Sequence, residues 1–169
     1  MRNREKGFSL IELLIVVAII LIIAAIAIPN LLRSKMAANE ASAVGSLRTI
    51  TTAAISFSSI YGDGFPPDLA HLGGAAGTTT ATCKSALLID SVLSASPAQK
   101  SGYTFTFAGA NAVSVVPPGC DAGWNNFTVS AVPIAIGSTG QRGFFVDETG
   151  VIRFTTDGSA PTTASPALQ

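Results

Sequence analysis

From Gly7 to Pro29 the chain reads G-F-S-L-I-E-L-L-I-V-V-A-I-I-L-I-I-A-A-I-A-I-P, and across the 21 residues Phe8–Ile28 only Ser9 and Glu12 are polar. At ~1.5 Å per residue, a helix over this run spans roughly 30 Å, the hydrocarbon thickness of a bilayer. Beyond Pro29 the pattern changes. Ala43, Leu47, Ile50, Ala54, Phe57 and Tyr61 fall at spacings of four and three, one stripe of a helix, among Ser, Thr, Ala and Arg. Residues Asn30–Ile60 hold no proline and one glycine, Gly45. Pro29 predicts a bend, and G-D-G-F-P-P from Gly62 predicts the stop. The 54 residues Phe8–Tyr61 would make ~80 Å of helix.

The remainder turns β-rich after a loop over Gly62–Thr82 and a predicted short helix over Lys84–Leu93. Tyr103–Phe107 alternates aromatic residues with threonine, the pattern of a half-buried strand. Ala112–Val116, ended by Pro117-Pro118, and Phe127–Val132 are further strand predictions. Phe144–Val146 and Val151–Phe154 flank a D-E-T-G turn and predict a hairpin. Asp157–Gln169, rich in Pro, Ser, Thr and Ala, is expected to be loosely ordered. The architecture implied is α+β: a long amino-terminal helix packed on an antiparallel sheet of three to five strands.

Charge adds direction. Arg2, Arg4 and Lys6 stand before the apolar run against Glu5 alone, which keeps the amino terminus in the cytoplasm and sends everything after Pro29 across the membrane. There, in an oxidising compartment, Cys83 and Cys120 can pair, with one connectivity available. The 36-residue loop they enclose gives at most about 4 kcal/mol of stabilisation by chain entropy. The alternative is two unpaired thiols. The run is too long for a secretory signal core, and its small residue, Gly7, precedes it instead of following it. The ten basic and ten acidic residues balance. Without residues 1–7 the remainder carries a net charge of −2, which argues against a generic electrostatic hold on nucleic acid.

K-G-F-S-L-I-E-L-L-I-V-V-A-I-I-L, from Lys6 on, resembles the class III signal of type IV pilins and their pseudopilin relatives, and the match extends to about Leu32. The resemblance implies cleavage by a prepilin peptidase between Gly7 and Phe8 and N-methylation of Phe8. It also implies that the helix serves first as an inner-membrane anchor and then as a filament core, with the "stalk" length already read. Phe65-Pro-Pro-Asp-Leu-Ala-His-Leu resembles the turn and short helix after that stalk. Many members of the family carry glycine where this chain has Leu21, and in them the helix unwinds between that glycine and the proline. Leucine favours helix over glycine by roughly 0.8 kcal/mol, so Leu21 bears on where such unwinding occurs.

Glu12 is the residue that most needs a purpose. A carboxylate at membrane depth costs ~2.5–3.5 kcal/mol or more unless it protonates or meets a cation. The α-amino group of Phe8 lies four residues away on the same helix, poorly placed for a self-contact, and the resemblance points to the Phe8 amine of a neighbouring subunit. A buried pair completed only at one axial offset sets register. Phe8, Glu12 and Pro29 are thus the expected assembly residues, Gly7 and Phe8 the processing residues, and Cys83 and Cys120 the disulfide. Ala18, Ala24, Ala25 and Ala27 are close-approach points for helices in lipid.

Catalysis finds no support. His71 is the single histidine, so no zinc set of the usual size can be drawn; it is read as a loop residue. Asp147, Glu148 and Asp157 have oxygens for Ca²⁺, but D-E-T-G is also an ordinary turn. Neither a metal site nor a cofactor is expected. Asn126-Phe-Thr128 fits a glycosylation sequon.

The reading is a structural subunit of a type IV pilus. Its divisions are residues 1–7, a cleaved leader; 8–29, the membrane and filament-core half of the helix; 30–61, the amphipathic half; 62–156, the head; and 157–169, a flexible tail. Its partners would be copies of itself, the inner membrane, the prepilin peptidase and methyltransferase, and an assembly platform with its ATPase. The fibre would serve adhesion, twitching motility or DNA uptake. The alternative is a pseudopilin of a type II secretion system, forming a periplasmic pseudopilus. A membrane-anchored binding module that never polymerises gains nothing from Glu12.

Overall fold

The computed structural model describes residues 8–74 and 77–168; Gly7 and the leader lie outside them. Helix α1 runs Leu10–Tyr61 and α2 runs Leu69–Leu72. Strands β1 (Ala98–Lys100), β2 (Tyr103–Ala112), β3 (Trp124–Pro133), β4 (Gly143–Asp147) and β5 (Arg153–Thr155) follow. The chain divides into one unit up to Lys35 and another from Met36 on.

Among the described residues, the first unit is helical from Leu10 on. Between Phe8 and Leu32 its large apolar side chains are exposed by 44% to 84%, and its most apolar 18-residue window has a mean hydropathy of 3.3. With hardly a polar side chain to satisfy the backbone, helix is the one conformation of a single segment that pairs every N–H and C=O in lipid. Pro29 sits inside α1, which remains helical on both sides of it and through Leu21.

In the second unit the rest of α1 packs on the sheet, and the predicted stripe is the packing face. Ala43, Leu47, Ile50, Ala54 and Phe57 are buried, and Tyr61 is half-buried against Phe57, ring centroids 4.8 Å apart. The helix stops at Gly62, whose φ of +67° and N–H bond to the Ser58 carbonyl (3.0 Å) make a left-handed cap. The five strands form a meander, each antiparallel to the next, in the order β1-β2-β3-β4-β5. Period-two alternation sends Phe105, Phe127, Val129, Ala131, Phe144 and Val146 to the helix side. Phe127 is gripped there between a stacked Phe107 at 5.4 Å and an edge-on Phe65 at 4.6 Å.

Several elements differ from the expectation. Lys84–Leu93 is not helical, because its backbone groups bond outward. Ala86 N–H donates to the His71 carbonyl at 2.8 Å, and Leu88 N–H to the Leu72 carbonyl at 2.7 Å. Ala112–Val116 is not a strand of its own. Instead β2 continues through Gly109 to Ala112, pairing with β3 as far as Trp124. Strand β1 was not anticipated; it returns into β2 through Ser101-Gly102, both at positive φ (51° and 74°), a two-residue turn that matches strand twist. The D-E-T-G turn forms as expected, with Gly150 at φ +76° and its N–H on the Asp147 carbonyl at 3.0 Å. The segment after Asp157, expected to be loosely ordered, folds back along β5: Leu168 N–H donates to the Ile152 carbonyl (2.7 Å), and Phe154 N–H to that of Pro166 (3.0 Å).

Candidate functional site

Two of the residues expected to serve assembly, Phe8 and Glu12, stand at the start of α1. Phe8 is exposed, and Ser9 is the residue from which the helix starts. Ser9 Oγ accepts the Ile11 N–H at 3.3 Å, and the Ser9 carbonyl accepts the Leu13 N–H at 3.2 Å. Glu12 reaches back: its Oε2 accepts the backbone N–H of Ser9 at 3.0 Å. This is a reciprocal capping box. It was missed in the sequence, although S-x-x-E ahead of an apolar run is its signature. The carboxylate expected to look only to a neighbouring subunit therefore has a task on its own chain, one residue from the Phe8 nitrogen. Its other oxygen, Oε1, takes no hydrogen bond among the described residues. Pro29 lies about five turns further along, and the small residues Ala18, Ala25 and Ala27 are exposed beside the large ones.

The cysteines are bonded as predicted, Cys83 to Cys120, with Cα atoms 5.6 Å apart. The bond ties the loop after α2 to the β2–β3 connection. Around it stands a charged cluster that sequence reasoning did not assemble. His71, read as a loop residue, belongs to α2, whose N-cap Asp68 accepts the His71 N–H at 3.0 Å. Its Nδ1 lies 2.7 Å from Asp68 Oδ1 and its Nε2 3.1 Å from Asp121 Oδ2, while Lys84 Nζ reaches Asp121 Oδ1 at 3.1 Å. Burial pulls the imidazole pKa down, but the two carboxylates outweigh burial and leave it above the ordinary value of 6.5.

A second ion pair locks helix to sheet. Glu40, buried on α1, accepts the N–H groups of Gln141 (2.9 Å) and Arg142 (3.1 Å) and the Arg142 Nε–H (2.8 Å). Burial raises the Glu40 pKa, and these three bonds together overcome it, holding the carboxyl below its ordinary 4.5. The Arg142 guanidinium lies over the rings of Phe144 and Phe154, 5.4 and 5.7 Å from their centroids. The Tyr103 hydroxyl donates to the Arg142 carbonyl at 2.8 Å; burial, then the Glu40 charge, push that phenol up to about 12. No sequence signal joins residues 40 and 142, since the pair exists only through the fold.

The remaining polar residues serve turns. Asp147 Oδ1 accepts from the Thr149 N–H and hydroxyl, and Asp157 Oδ1 from the Ser159 N–H and hydroxyl. Glu148 takes the Asn126 amide at 2.9 Å. Among the described residues, no three His, Cys, Asp or Glu side chains gather as a metal site would need. Asn126 of the sequon stands inside β3, paired with Ala110.

Residues 2–28 match the family described as the prokaryotic N-terminal methylation motif. The type IV major pilin protein PilA of Myxococcus xanthus is 50% identical over 54 residues, 32% of this chain and 24% of that protein. The type IV wide pilus major component PilA4 of Thermus thermophilus is 65% identical over 40 residues, 24% of this chain and 30% of that protein. The aligned stretches thus span less than a third of the length of these relatives. No solved structure matches the chain. The resemblance to type IV pilins is borne out in sequence and in fold: the chain carries the N-terminal methylation motif on an apolar helix and joins that helix to a five-stranded antiparallel sheet.

Proposed function

We propose that this chain is a structural subunit of a type IV pilus. The observation that carries the reading is the first unit of the structure: an apolar helix with its large side chains exposed all round, and one carboxylate, Glu12, at its start. Such a surface is stable in lipid or against other copies of itself, not in water. The N-terminal methylation motif over residues 2–28 supports processing at the Gly7–Phe8 bond and methylation of Phe8.

In this reading residues 8–29 anchor the precursor in the inner membrane, with the amino terminus cytoplasmic, and later form the filament core. Residues 30–61 and 62–156 carry and make the head. Glu12 holds its own Ser9 N–H through Oε2 and offers Oε1 to the Phe8 amine of an adjacent copy, so that subunits settle at one axial offset. Ala18, Ala24, Ala25 and Ala27 allow the helices to approach. Cleavage, methylation and ATP-driven extrusion belong to other chains. The finished surface fibre serves adhesion, twitching motility or DNA uptake.

Mass spectrometry of filaments sheared from the cell surface tests this. The expected result is that this chain dominates the fraction, starts at N-methylated Phe8 and is two hydrogens light for the Cys83–Cys120 bond. A processed chain that stays in the cell envelope and is missing from the sheared fraction would overturn it.

A further inference from the structure

The imidazole of His71 stands between two carboxylates, Asp68 on Nδ1 at 2.7 Å and Asp121 on Nε2 at 3.1 Å, and its side chain is only 16% exposed. A neutral imidazole has one N–H, so both contacts are hydrogen bonds only when the ring carries two protons. The charged groups facing it are Asp68 from its own helix cap and, from the disulfide loops, Asp121 with Lys84 behind it. Each flank of the disulfide contributes: Lys84 follows Cys83, and Asp121 follows Cys120. Three residues on, the Trp124 indole N–H donates to the Pro67 carbonyl at 3.1 Å, beside Asp68.

We propose that His71 is a proton-operated latch that, together with the Cys83–Cys120 bond, holds the 117–123 loop to α2, and that loss of one ring proton frees the Asp121 arm. The order of release follows from the geometry. Asp68 makes the shorter contact and is also fixed as N-cap, so the remaining proton stays on Nδ1. Nε2 then turns a lone pair toward Asp121, and acceptor faces acceptor. Lys84 alone does not hold the arm, because both it and Asp121 are half exposed and such pairs are worth little in water. The flanking carboxylates place the transition above 6.5, so the latch is closed in mildly acidic surroundings and opens as pH rises through the His71 value. With the arm free, the loop keeps the disulfide as its one covalent hold.

The test uses the full chain, ¹⁵N-labelled, in detergent micelles, with the His71 ring followed through its own titration. Backbone order parameters of Asp121 and Ala122 are expected to fall from about 0.85 to below about 0.6, with a midpoint at the His71 pKa. Asp121→Ala and His71→Phe should show the mobile loop at every pH, with the disulfide intact. Order parameters that stay level across the His71 transition would overturn the latch, as would an Asp121→Ala protein that keeps the parent's pH profile. Asp121→Ala leaves the Asp68 cap in place, so the test stands even where His71→Phe fails to fold.

Discussion

Glu12 Oε2 accepts the backbone N–H of Ser9, three residues earlier on the same helix, at 3.0 Å. The carboxylate thus has two separable capacities: it caps the helix as an acceptor, and, unlike an amide, it is ionisable. Glu12→Gln keeps an acceptor for the Ser9 N–H and removes the charge. Ser9→Ala removes a capping hydroxyl worth about 1 kcal/mol and leaves the charge. If charge sets subunit register, Glu12→Gln should be processed normally yet give at least about tenfold less sheared fibre, whereas Ser9→Ala should keep most of its yield. Comparing cleaved precursor with fibre for both variants decides it; normal fibre from Glu12→Gln would leave Glu12 as a cap only.

Glu40 on the helix holds the residues just before β4 through three hydrogen bonds from Gln141 and Arg142, and its contribution depends on pH with a definite sign. Glu40→Ala leaves two N–H groups and a guanidinium without their acceptor, a loss of about 2–3 kcal/mol. The folded-state pKa of Glu40 is depressed, so the stabilisation is fully present above 4.5 and is lost as pH falls through the folded value. Thermal unfolding of the full chain in micelles should show a constant gap between parent and variant from neutral pH down to about pH 5, closing in stronger acid.

Gly109 lies within β2 at the point where the Trp124 ring crosses the strand; a Cβ there would sit 2.0 Å from the ring carbon Cδ1. Gly109→Val should therefore displace the indole, break its bond to the Pro67 carbonyl and cost about 1–3 kcal/mol. Trp124 is the one tryptophan of the chain, so its emission reports the change directly. A red shift with lower stability is expected, and unaltered emission would show that the ring is free to move.

The helix was legible because its two patterns, continuous apolar and then a three-four stripe, each permit one conformation. The hairpin around Asp147–Gly150 was legible for a similar reason, since a turn sequence stood between two apolar runs. Ser101-Gly102 offered the same kind of signal for β1, but the strand beside it, A-Q-K, has no alternation to read. Lys84–Leu93 misled because an apolar run with one acid suits a helix, while its amides answer to carbonyls of residues 71–73, which no local pattern displays. At the candidate site the cysteine pair was read from the sequence, while the S-x-x-E cap carried its signature and was missed. The Glu40–Arg142 lock and the His71 cluster were not, since their partners lie 102 and 50 residues apart.

The carboxy-terminal segment gives the sharpest difference between composition and structure, and its removal is correspondingly informative. Its Pro, Ser, Thr and Ala content reads as disorder, yet Arg153 Nη1–H donates to the Ser165 carbonyl at 2.8 Å and Leu168 packs on the core. Two backbone bonds to Ile152 and Phe154 complete the attachment. Deleting residues 161–169 should cost about 2–4 kcal/mol, from the lost bonds and the uncovered Leu168 site. It should also leave β5 as an open edge, a template for pairing with another chain. Thermal unfolding and size-exclusion chromatography of the truncated chain in micelles test both consequences. A tail without a structural role would leave melting temperature and elution unchanged; a lower melting temperature with earlier elution is the expected pair of results, because the segment serves as the last strand of the sheet in all but regular pairing.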